Sequence, residues 1–170
     1  MSGSETHTRI DISADLSPVA ISGRVFNELC AHALETQPEE CCGLVASGVE
    51  DRFDRAFRCR NDMTLKHRGD PVVFPRDGRE AFYMNEMDYL KVQEAVVDEG
   101  SRITAIYHSH VGAGVYFSEM DREFAEQPFF PFPDAAHIVI AVWDRTARGG
   151  IFERDSSGVL IGRILEACEG

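Results

Sequence analysis

Apolar residues along this chain change their spacing from segment to segment. From Ser22 they recur at intervals of three and four, at Val25, Phe26, Leu29, Cys30, Ala33 and Leu34. That period predicts an amphipathic helix, which Pro38 closes. The apolar run from Cys42 to Ser47 predicts a short buried strand, Gly48 a turn, and Glu50 to Arg60 its antiparallel neighbour. Asn61 to Pro75 is charged and broken by Gly and Pro, which predicts a loop, with a short strand at Glu80 to Met84 after it. Asn85 fits the N-cap of a second helix, Glu86 to Glu99, that Gly100 stops. Ile103 to His108 is apolar, β-branched and aromatic, hence a strand. Val111 to Val115 predicts a flexible loop, and Ser118 opens a short helix to about Gln127. Strands at Ile138–Trp143, Gly150–Arg154 and Val159–Leu165 complete the pattern. The class is α+β, or mixed α/β, with a mixed sheet flanked by helices.

Residues 1–18 are polar and end at Pro18, so they are expected to form a mobile leader. Residues 19–170 then form one domain, without repeats or a low-complexity linker. The start of the chain has neither a basic stretch nor an apolar one, and no apolar run is long enough to span a bilayer. A cytoplasmic protein with no membrane association is expected. The net charge of −12 argues against nucleic-acid binding, because cations supply most such affinity. Five cysteines at irregular spacing contain no C-x-x-C pair. They are expected to be buried or free thiols, not a thiolate metal cluster.

The chemistry concentrates between Tyr107 and Asp121. His108 and His110 lie two apart at the end of a strand, so both imidazoles leave the same face. Two such rings can converge on one cation. Zinc accepts imidazole nitrogens and commonly completes a catalytic site with a carboxylate and a water. Asp121, beyond a glycine-containing loop, can supply that carboxylate. The same residues admit a plainer account. A His pair at a strand end can simply be solvated or hydrogen-bonded, and Ser118-x-x-Asp121 resembles a capping box, which would turn Asp121 back to the helix terminus.

Taken together, His-x-His, then seven residues, then Ser-x-x-Asp resembles the signature of the JAMM (MPN-plus) metalloproteases. Pro38-Glu-Glu-Cys-Cys-Gly43 follows the first helix where that family carries a Pro-x-Glu-x-x-Gly stretch. The resemblance covers about residues 20 to 145 and implies an MPN-like, cytidine-deaminase-like fold. It implies one zinc ion per chain with a catalytic water, held by His108, His110 and Asp121. It also implies Glu40 as general base and Ser118 as a hydrogen-bond donor to the developing oxyanion. Glu39 is the neighbouring candidate base, although strand alternation lets only one of the two face the metal. Val111 stands where relatives often carry proline after the second histidine.

The implied activity is hydrolysis of a peptide or isopeptide bond after the C-terminal glycine of a ubiquitin-like modifier. An alternative within the family is a peptidase that releases cysteine, or an extension, from a sulfur-carrier protein. A rival of another class is a non-catalytic MPN scaffold. A cysteine protease built on Cys41-Cys42 is a weaker alternative, and no oligomeric state is implied. Phe129 to Pro133 reads as an apolar wall for a partner or as cover for the core. His32, on the first helix, reads as a surface or core residue and not a ligand, and His67 and His137 lack partners at ligand spacing.

Overall fold

The computed structural model describes residues 9–168. Strand β1 is Ile10–Asp11 and β2 is Val19–Ser22; helix α1, Gly23–Thr36, follows. Next come β3 (Cys42–Ala46), β4 (Arg55–Cys59), α2 (Met63–Gly69) and α3 (Glu86–Asp98). The chain continues through β5 (Ile103–Val111), β6 (Tyr116–Phe117) and α4 (Glu119–Ala125). It closes with β7 (Ala136–Trp143), β8 (Thr146–Arg154) and β9 (Leu160–Cys168). A mixed seven-stranded sheet runs in the order β2-β9-β8-β7-β5-β3-β4, parallel at β2–β9 and β5–β7 and antiparallel elsewhere.

The central strands β3, β5 and β7 are apolar on both sides because both faces are covered. On one face Val25, Leu29 and Ala33 of α1 pack on Val45, Tyr107, Ile138 and Ile140. On the other, Tyr89 and Val92 of α3 join Phe130 and Phe132 over Leu44, Cys59 and Ile106. Ser22 caps α1 by accepting from the Val25 amide, and Asn85 caps α3 by accepting from Asp88. The α+β class and the flanked mixed sheet are those expected.

Five segments differ from expectation. Residues 1–8 of the expected leader lie outside the described residues, but the rest of it is partly structured. Ile10 and Asp11 pair with Phe117 and Tyr116, and Ile12 bridges to Gly162. Ile10 and Ile12 pack against Val115, Phe117 and Phe152, so two isolated apolar residues in a polar stretch suffice to anchor it. The expected loop at Asn61–Pro75 contains α2, whose start is held by the Asn61 side chain accepting from the Met63 amide. Glu80–Met84 makes only an Asn61–Met84 bridge in place of a strand. The partner of β3 begins at Arg55, and β5 runs three residues past His108.

Candidate metal centre

Strand register brings the candidate residues together. In the antiparallel β3–β5 pair, Cys42 lies opposite His108, and each step back on β3 is a step forward on β5. Cys41 and Ser109 come next. The Cys41 amide donates to Ser109 Oγ at 2.7 Å, and the Ser109 amide donates to the Cys41 carbonyl at 3.1 Å. One further step places Glu40 opposite His110 and on the same face, by period-two alternation. Glu39 must then point elsewhere, and it accepts from Thr64 Oγ1 at 2.7 Å. Of the two glutamates, Glu40 is buried, 5% exposed, and lines a cavity of about 360 Å³ with His110, Ser118 and Asp121.

His108 Nε2, His110 Nε2 and Asp121 Oδ2 converge, separated by 3.2, 3.1 and 3.4 Å. A tetrahedron with bonds of about 2.0–2.1 Å has edges of about 3.3–3.4 Å, so this triangle fits a zinc ion without rearrangement. The ring chemistry agrees. His110 Nδ1 lies 3.1 Å from the Gly114 carbonyl, which can only accept, so Nδ1 is the donor there and Nε2 is the nitrogen turned towards the triangle. His108 is fixed by stacking on Phe82, with ring centroids 4.6 Å apart.

Asp121 is placed for two roles that looked exclusive in the sequence. Its Oδ2 accepts from the Ser118 amide at 3.0 Å, completing a capping box, and the same oxygen faces both imidazoles. The helix terminus thus holds the carboxylate in place. Burial raises the pKa of Asp121, but the adjoining His108 and His110 outweigh it and hold the carboxyl well below the ordinary range. Glu40 shifts the other way. Burial, then the charge of Asp121, push it up to about 9 against the pull of Arg76. A cation at the His-His-Asp triangle would favour its ionised form.

Several residues in this constellation escaped sequence reasoning. Ser109, between the histidines, pins Cys41 and so sets Glu40. Asn61 donates to the Glu40 and Ala81 carbonyls and accepts from the Met63 and Tyr83 amides, tying α2 to the cavity wall. The Glu40 amide donates to the Gly78 carbonyl. No local pattern signalled either residue, since Asn61 stands between Arg60 and Asp62 and Ser109 between the two histidines. The discounted histidines are elsewhere: His32 bonds Tyr107 Oη, His67 bonds the Phe74 carbonyl, and His137 lies between Phe117 and Phe130. Phe132 and Phe130 cover the core, whereas Phe129 is 96% exposed.

A mixed sheet carrying two histidines on one strand end and an aspartate on the following helix defines a protein of the JAMM/MPN class. Residues 22–154 match the family described as prokaryotic homologs of the JAB domain, and the chain belongs to that family. It is similar to the CysO-cysteine peptidase of Mycobacterium tuberculosis, with 30% identity over 128 residues, covering 74% of this chain and 75% of the relative. It is also 29% identical over 116 residues to tail tip assembly protein K of Escherichia phage N15, covering 68% of this chain but 38% of that protein. Two solution structures share the fold. A Desulfitobacterium hafniense protein has a TM-score of 0.62 at 19% identity, covering 89% of this chain and 93% of its own. A Salinibacter ruber protein has 0.53 at 16%, covering 89% and 90%.

Proposed function

We propose that this chain is a zinc-dependent peptidase that cuts directly after the C-terminal glycine of a small ubiquitin-like or sulfur-carrier protein. The observation that carries the reading is the convergence of His108, His110 and Asp121 beside a buried Glu40. A scaffold has no use for a glutamate kept in a cavity where its ionised form is disfavoured. The similarity to a CysO-cysteine peptidase favours release of an amino acid from a sulfur carrier over removal of a modifier from a protein lysine.

His108, His110 and Asp121 would hold the zinc, which would supply Lewis-acid polarisation and acidify a water. The rest of the chemistry belongs to the chain. Glu40 accepts the proton of the attacking water and returns it to the leaving amine, the two-way duty of a general base. Ser118 Oγ accepts from the Asp121 amide at 3.0 Å, which leaves the hydroxyl hydrogen to donate to the carbonyl oxygen as charge develops. Cys41 and Cys42 supply no nucleophile: burial pushes the Cys41 thiol up to about 12 and that of Cys42 well above its ordinary value.

Fusions of a ubiquitin-like or sulfur-carrier domain to a reporter test this reading. Cleavage should follow the terminal glycine, slow sharply when the last two glycines become alanine, and be slow on the isolated tail peptide. The globular part would supply the binding energy that positions the tail. Equal rates on all three would mark a general peptidase.

A further inference from the structure

The polar cavity beside the metal triangle is lined by three carboxylates, Glu40, Glu80 and Asp121, and by two arginines, Arg76 and Arg79. The arginines differ. Arg79 is committed to Asp77, which accepts from its Nη2 at 2.8 Å, its Nε at 3.2 Å and its backbone amide. Arg76 has no ion-pair or hydrogen-bond partner among the described residues. It stands where the polar cavity meets a larger apolar groove of about 410 Å³, which includes Phe82, Met120 and Phe124 and also reaches Asp121. Its charge reaches Glu40, partly offsetting the effect of burial there. In a chain of net charge −12, a guanidinium with no committed partner beside the reacting centre is free to pair with an anionic group of a substrate.

We infer that Arg76 determines specificity at this site by receiving the free carboxylate of the amino acid on the leaving side of the cut. The inference rests on the peptidase reading above, with a carrier protein joined through its terminal glycine to an amino acid as substrate, and adds to it the residue that recognises the leaving group. A terminal Gly-Gly carries no anion near the scissile bond. A lysine joined through its side chain carries none either, since its own carboxyl lies at the far end of the side chain within a peptide. An amino acid joined through its α-amine places a carboxylate on the carbon bonded to the scissile nitrogen. Unaided, that anion would be repelled by Glu40, Glu80 and Asp121; the planar fork of Arg76 can pair with it bidentately. In the reaction the C–N bond breaks, and water gives its hydroxyl to the acyl carbon and its hydrogen to the amine. The carrier carboxylate and the free amino acid leave.

The test uses the zinc-loaded full chain and two adducts of one carrier domain ending in Gly-Gly. In one the attached amino acid keeps its carboxylate; in the other that group is a primary amide. The wild type should favour the acid in kcat/KM by about tenfold to a hundredfold, the value of a charge-assisted hydrogen bond. Arg76→Ala should bring the ratio close to one and Arg76→Lys should fall between; an exposed side chain makes both variants safe for folding. A wild-type ratio near one, with both adducts cut, overturns the carboxylate subsite and leaves the peptidase reading standing. A strong preference that survives in Arg76→Ala overturns the role of Arg76. Failure to cut either adduct refutes the peptidase reading and this inference with it.

Discussion

At the scale of single residues, burial sets the chemistry. Asp121 and Glu40 share a cavity, yet one is held ionised by two imidazoles while the other is driven towards its protonated form. The cluster of His108, His110 and Asp121 was legible because zinc chemistry demands few residue types at fixed spacing. Ser109 and Asn61 were not, because a polar residue shows its role only when its partners, tens of positions away, are placed around it. His32 is a structural counterpart. Burial first, then the charge of Arg58, push its pKa from 6.5 down to about 4, and its Nδ1 lies 2.7 Å from Tyr107 Oη. The unfolded chain therefore binds a proton that the folded one refuses, and the stability His32 contributes is present above about pH 6.5 and lost as pH falls towards 4. Thermal unfolding followed from about pH 7 to 4 should show this loss, and His32→Gln should flatten the slope. An unchanged slope in the variant would assign the acid sensitivity to other groups.

At the scale of elements, apolar pattern made α1, α3, β3, β5 and β7 legible, although α3 buries Val96 and leaves Met87, Leu90 and Val97 of its expected apolar face exposed. Short or mixed elements were not. α2 has Met63 as its buried residue and no apolar repeat, and β1 exists only because Phe117 and Tyr116 lie beside it. Asp121 shows the same limit, since local pattern could not reveal that one oxygen completes a helix cap and also faces both imidazoles. The β3–β5 register, which delivers Glu40, depends on a close approach at Gly43. A Cβ there would meet the Phe57 carbonyl oxygen at 2.3 Å and the Tyr107 ring at 2.5 Å. Backbone cannot yield as a flexible side chain can, so Gly43→Ala should destabilise by about 1–3 kcal/mol or more, measured by denaturant unfolding. It should also lower activity beyond what the lost folded fraction explains, by shifting Glu40. A neutral effect would mean that β3 can slide without consequence.

At the scale of the whole molecule, the sheet brings a strand entry, a strand end and a helix terminus from distant parts of the chain to one cavity. No helix among the described residues is long and apolar enough to cross a membrane. Family membership follows from residues 22–154, and the fold was legible over the same stretch, because the motif's spacing and the order of elements reinforce each other. Metal binding and catalysis can be tested separately in this architecture: the proposed ligands sit on β5 and α4, while the proposed base, Glu40, sits at the entry to β3. The decisive measurement is the hydrolysis rate of a carrier adduct by wild type and by Glu40→Gln, with zinc quantified in the same samples. Both proteins should hold about one zinc per chain, and the variant should be slower by about two orders of magnitude or more. Equal rates at equal zinc content, or wild-type activity in protein stripped of zinc, would contradict the account.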